Sequence, residues 1–137
     1  MSDTTMFELV SPERLLMSKD VSMVVVPGAD GLFGVLPRHS PLLSTLLPGV
    51  IDVYENGAVT DRIFVAGGFA EVTEDRCTVL AEEATAVGEL DVEKAEQRIT
   101  DLSDELKDAT GSEADRLTRR IGESETVLAA MKVAKNG

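Results

Sequence analysis

A chain of 137 residues with 43% apolar and 28% charged residues can form one compact domain, or a small one with an appendage, and is too apolar for wholesale disorder. Its formal charge of -12 works against binding to nucleic acid or an anionic lipid surface, so its partners are expected to be proteins or cations. The one cysteine, Cys77, excludes an internal disulfide, a cysteine zinc cage and a C-x-x-C redox pair, and no apolar run approaches the roughly 20 residues that span a bilayer.

Through residue 82 the chain reads as short apolar runs broken by Gly, Pro, Asn and Asp, the punctuation of an all-β sandwich or barrel. Strands are predicted at Phe7–Ser11, Val21–Val26, Gly34–Leu36, Val50–Tyr54, Arg62–Ala66, Ala70–Thr73 and Cys77–Glu82. Pro27-Gly28-Ala29-Asp30-Gly31 reads as a protruding loop that leaves Leu32 and Phe33 near its tip. Asn56-Gly57 suits a tight hairpin turn, and Thr73-Glu74-Asp75-Arg76 is a second polar reversal. Gly67-Gly68 is expected to mark a bulge or a tight bend.

From residue 91 the apolar period changes from two to about 3.5. Val92, Ala95, Ile99, Leu102, Leu106 and Ala109 form one stripe, and Ala114, Leu117, Ile121, Ser124, Leu128 and Met131 repeat the spacing with one polar member. Two amphipathic helices of similar length follow, with Gly111 in a left-handed position closing the first and Ser112-Glu113-Ala114-Asp115 capping the second. A connection of a few residues makes them an antiparallel hairpin. The predicted fold is therefore an N-terminal β-sandwich, residues 1–88, followed by a two-helix hairpin, residues 89–137.

The chemistry-bearing residues are sparse. His39 is the one histidine, and no nucleophile and orienting acid are spaced to make it a catalytic base, so a structural or interface role is the favoured reading. Gly28, Gly31 and Gly34 lack the Lys-Ser/Thr pair of a phosphate loop and do not open a helix. Glu82 and Glu83 could serve a divalent cation only with further oxygen ligands, and read more simply as a solvated strand end. Cys77, in an apolar run, reads as a small core residue. No catalytic residue and no metal ligand set is predicted, and a hydrolytic or cation-binding β protein is the least favoured class. The second helix is the basic one, with Arg116, Arg119 and Arg120 clustered in two turns and Lys132 and Lys135 near its end. That cluster is either a salt-bridged solvated face or a surface for an acidic protein partner.

The stretches Phe7-Glu8-Leu9-Val10-Ser11-Pro12-Glu13, Val26-Pro27-Gly28-Ala29-Asp30-Gly31-Leu32-Phe33-Gly34-Val35-Leu36-Pro37-Arg38-His39-Ser40-Pro41-Leu42, Leu47-Pro48-Gly49 and Val65-Ala66-Gly67-Gly68-Phe69-Ala70-Glu71-Val72 resemble, in order and spacing, the epsilon subunits of F-type ATP synthases. The resemblance covers nearly the whole chain. It implies a non-catalytic rotor subunit of the central stalk, whose sandwich clamps the gamma subunit and sits on the c-subunit ring, transmitting ion-driven rotation to ATP synthesis. By matching position, Ser11, His39, Leu42 and Leu43 would face gamma, while Asp30, Gly31 and Leu32 would face the c ring. Leu32 stands where some relatives carry an acid, so an apolar contact is expected there.

The resemblance further implies that the helical hairpin can lie folded or extend toward the alpha and beta subunits and inhibit ATP hydrolysis, with Arg116, Arg119 and Arg120 as the inhibitory contacts. No cofactor is required. ATP is a candidate regulatory ligand, because Leu90-Asp91-Val92-Glu93-Lys94-Ala95 matches an Ile/Leu-Asp-x-x-Arg-Ala motif through Leu90, Asp91, Lys94 and Ala95, with lysine replacing arginine. Lys94 keeps the charge but loses the planar fork, and a helix cap at Asp91 is the favoured reading of the segment. A nucleotide-sensing module using Asp91, Lys94 and the three arginines is the rival class. The expected location is the cytoplasmic face of a bacterial inner membrane, held there by partners without direct insertion.

Overall fold

A computed structural model describes residues 3–136. The chain divides between Gly88 and Glu89 into two compact units.

The first unit is built from eight strands: β1 (Thr5–Val10), β2 (Leu15–Val21), β3 (Met23–Gly28), β4 (Gly31–Val35), β5 (Leu42–Thr45), β6 (Gly49–Glu55), β7 (Ala58–Val72) and β8 (Arg76–Ala86). They hydrogen-bond in the order β2-β1-β8-β7-β6-β3-β4, with β5 beside β7. Every pairing is antiparallel except β1 with β8, which the intervening six strands bring side by side in parallel. The alternation in β1 shows the logic: Thr5, Phe7 and Leu9 are buried, and Met6, Glu8 and Val10 point outward.

The sheet becomes a sandwich because β7 bends. Its first half pairs with β6 through Val65, and its last four residues pair with β5, so the other edge changes partner across Gly67-Gly68. The register with β8 keeps its phase across this point, from Ala66–Glu83 to Gly68–Ala81. Both glycines have positive φ, +75° and +103°. A Cβ on Gly68 would collide with the Leu80 carbonyl, and one on Gly67 with the Glu82 side chain. At Gly68 the obstacle is backbone and only glycine fits, while at Gly67 the positive φ favours glycine and the Glu82 side chain could move aside. Two strands were predicted here, and one of 15 residues is found, because the bend redirects the chain without ending it.

The inner faces of both halves meet in one core that includes Phe7, Leu9, Val21, Val24, Val26, Val35, Ile51, Val53, Val65, Val72, Cys77 and Val79. Each of the Val, Leu, Ile and Phe side chains among these contributes about 1.5–3 kcal/mol when fully buried. Edge strand β2 was missed in the sequence, since Ser18-Lys19-Asp20 interrupts its apolar pattern; the predicted strand Val21–Val26 is the end of β2 and the start of β3, with Ser22 as the corner. Lys19 points inward, opposite buried Phe7, and its Nζ donates to Glu55 Oε2 at 2.8 Å and Asp61 Oδ2 at 2.7 Å. An inward lysine on an edge strand discourages edge-to-edge pairing between copies. Strand β5 was also unpredicted, being only four residues long.

A 3-10 turn, Val87–Glu89, spans the boundary, and the second unit holds α1 (Val92–Lys107) and α2 (Gly111–Asn136). Asp91 is the N-cap of α1: its Oδ1 accepts from the Lys94 backbone N–H at 3.0 Å. Asp108 closes α1, its N–H shared between the Glu105 and Leu106 carbonyls. Gly111, at φ +62°, starts α2, so Ser112 lies inside the first turn and is not the predicted cap. The helices are unequal, 16 and 26 residues, against the expectation of similar lengths. Every residue of the two predicted stripes is buried or half-buried, Ser124 included, and Leu102 and Leu117 are the most enclosed.

Candidate docking surfaces

The outward face of the sandwich carries a row of apolar side chains that crosses four strands. Strand register sets Phe69 of β7 opposite Leu80 of β8, Leu80 opposite Val10 of β1, and Val10 opposite Leu15 of β2. At roughly 4.8 Å between strands the row is about 14 Å long. Phe69 is 42% exposed, Leu80 39% and Leu15 55%. Leu43 of β5, 67% exposed, extends the same face beside Thr45, the register partner of Phe69. The flanking residues are polar: Glu71 lies opposite Leu43, and Glu8 accepts from Arg76 Nη1 at 3.0 Å. An apolar centre with a polar border is the anatomy of a protein interface.

Of the residues expected to face gamma, Leu43 belongs to this row and Ser11 directly follows Val10, its Oγ donating to the Arg14 carbonyl at 3.2 Å. Leu42 sits opposite buried Val72, on the inward side of the edge. His39 lies at the other end of the strands, in the β4–β5 loop, which is tied to the β7–β8 turn by the Arg38 N–H donating to Glu74 O at 2.8 Å. Its Nδ1–H donates to its neighbour's carbonyl, Ser40 O, at 2.6 Å. The sequence singled out Leu43 but not Phe69, Leu80 or Leu15, because their adjacency exists only through register.

A second surface is the β3–β4 tip. Gly28 pairs with Gly31 across a two-residue turn, Ala29-Asp30. Asp30, Gly31 and Leu32 are all exposed, Leu32 by 72%. Phe33 does not share the tip as expected: its ring is half-buried against the core, close over Gly28, where an added Cβ would fall within 2.7 Å of it.

In the helical unit Leu90 is buried, Ala95 half-buried and Lys94 exposed, and the Asp91 carboxylate is occupied in capping. Arg116, Arg119 and Arg120 are exposed and form no ion pair among the described residues. Cys77 is buried, which pushes its thiol up to about 12 and leaves it unreactive at neutral pH. No three His, Cys, Asp or Glu side chains gather as a metal cage among the described residues. No described helix is long and apolar enough to cross a membrane.

A sandwich with an exposed apolar row, a projecting turn and an appended helical hairpin is the build of a protein that works by holding other proteins. Residues 4–87 match the family described as ATP synthase, Delta/Epsilon chain, beta-sandwich domain. The ATP synthase epsilon chain of Rhodospirillum rubrum is 56% identical over 137 residues, covering the whole of both chains. That of Rhodospirillum centenum is 53% identical, covering 97% of this chain and 92% of the relative. The chain belongs to the ATP synthase epsilon family, a family of non-catalytic subunits. Two solved structures share the fold: a chain of the Euglena gracilis mitochondrial ATP synthase (TM-score 0.77, 19% identity, 98% of this chain and 82% of that one) and one from the Tetrahymena thermophila mitochondrial ATP synthase central stalk and c ring (TM-score 0.63, 10% identity, 96% of each).

Proposed function

We propose that this chain is the central-stalk subunit that joins gamma to the c ring, passing ion-driven rotation to the catalytic head without making or breaking a bond. The exposed row Phe69-Leu80-Val10-Leu15 with Leu43 carries the reading: in a chain whose family is a subunit of a larger assembly, it is the surface with the composition of an interface centre. Gamma covers this face, with Ser11, His39 and Leu42 around it. The c ring meets Asp30, Gly31 and Leu32, where a 72% exposed leucine favours an apolar contact. The assembly holds the chain peripherally at the cytoplasmic face of the bacterial inner membrane.

The helical hairpin is the regulatory part. Arg116, Arg119 and Arg120, exposed and without an ion pair among the described residues, suit acidic surfaces of the beta and alpha subunits, and their engagement slows ATP hydrolysis. ATP is the regulatory ligand to test at Leu90, Asp91, Lys94 and Ala95; calorimetry with magnesium and ATP that shows no heat of binding would remove it.

Reconstitution of the catalytic head stripped of this chain tests the main reading. A Phe69→Ser, Leu80→Ser double variant is expected to lose about two orders of magnitude in affinity, since centrally placed apolar anchors dominate interfaces. Wild-type affinity in that variant would refute docking through this face.

A further inference from the structure

We propose that Arg38 is a specificity-determining contact, held in a strained turn so that its guanidinium meets a carboxylate on the surface that the sandwich docks against; this rests on the gamma-docking reading above. Leu36-Pro37-Arg38-His39 is a tight turn, closed by the His39 N–H donating to the Leu36 carbonyl at 3.2 Å. Proline suits its second position, and its third requires positive φ, which glycine or asparagine supplies without strain. Arg38 occupies that third position at φ +63°. The other non-glycine residue at positive φ among those described is Asn56, a residue suited to it. A long side chain in this backbone state persists where the surroundings enforce it and the side chain is used. Here the Arg38 N–H is anchored on Glu74 O at 2.8 Å, which locks the turn.

Among the described residues the Arg38 guanidinium has no ion-pair partner. Residues 1–90 hold five cations, Arg14, Lys19, Arg38, Arg62 and Arg76, against 14 acids. Lys19, Arg62 and Arg76 form ion pairs within the sandwich. Arg14 lies in a shallow groove among Glu13, Glu82 and Glu83. Arg38 is exposed and makes no side-chain hydrogen bond or ion pair among the described residues, although residues 1–90 are rich in acids. Arginine offers a planar fork matched to a carboxylate, so an acidic side chain of the partner is the group it fits. Its neighbour His39 already stands among the residues assigned to that partner.

The test compares Arg38→Gly, Arg38→Asn and Arg38→Lys in the full chain, by thermal unfolding alone and by affinity for the stripped catalytic head. Arg38→Gly and Arg38→Asn relieve the backbone, so each is expected to hold or raise Tm by about 2 °C. Both are expected to lose roughly tenfold in affinity at low salt, with the difference shrinking as salt rises, and Arg38→Lys to recover part of it. Wild-type affinity in Arg38→Gly would overturn the proposal, as would a lowered Tm in both relieved variants, which would make the guanidinium structural. If the Phe69→Ser, Leu80→Ser variant also binds normally, the docking face itself is wrong; if that variant fails and Arg38→Gly does not, the role of Arg38 alone falls.

Discussion

The sandwich and the hairpin of this chain are held together by different kinds of contact. In the sandwich, residues far apart in sequence are locked by register: β1 at the start pairs with β8, some 70 residues later, and one bend at Gly67-Gly68 decides how the sheet closes. In the hairpin, two helices joined by Asp108–Thr110 meet along narrow stripes in which Leu102 and Leu117 are the most enclosed members. The first arrangement depends on long-range register and on Gly68, where a Cβ would strike backbone; the second depends on contacts between two helices adjacent in sequence.

The largest blow to the sandwich should come from Gly68→Ala, which places a Cβ against the Leu80 carbonyl at φ +103°. A loss of about 3 kcal/mol is expected, seen as a drop of 10 °C or more in Tm. A neutral Gly68→Ala would mean that the bend is not the keystone of the closure. Leu102→Ala in the hairpin should cost about 2–3 kcal/mol. Its effect should appear in the hydrogen exchange of α1 and α2 and leave β1 and β8 protected. Equal loss of protection in both units would erase the contrast drawn between them.

Asp91→Ala removes the cap of α1 and should fray its first turn at a cost of about 1 kcal/mol, readable in the exchange of the Lys94 amide. The smallest effect belongs to Lys19→Met, expected to lower Tm by no more than a few degrees because the ion pairs are a third exposed. Its pH signature is the sharper readout. Hydrogen bonds from Lys19 and then Thr60 hold the Glu55 carboxyl below its ordinary 4.5, so the stabilisation is present above that value and is lost as pH falls through the lowered one. Hydrogen bonds to Asp61 and then Glu55 raise Lys19 above 10.5, so its contribution is present below 10.5 and is lost as pH rises through the raised value. Thermal unfolding of Lys19→Met should therefore approach that of the wild type at both extremes; a pH-independent difference would assign the effect to packing.

Much of the molecule was legible in one dimension. The change of apolar period near residue 91, the Asn56-Gly57 turn at φ +53° and +81°, and the Asp91 cap rest on neighbours a few residues apart, where local stereochemistry decides. The order of the motifs carried the family as well. Strands β2 and β5 escaped because one hides an inward lysine and the other is too short for a period to show. Phe69, Leu80, Val10 and Leu15 are spread from position 10 to position 80 and become one face only when four strands fall into register. Sequence alone thus determined which segments turn, alternate or coil, since those properties depend on local backbone geometry. Tertiary structure decided which side chains share a surface, because pairing between distant strands, and the bend that two glycines permit, have no local signature.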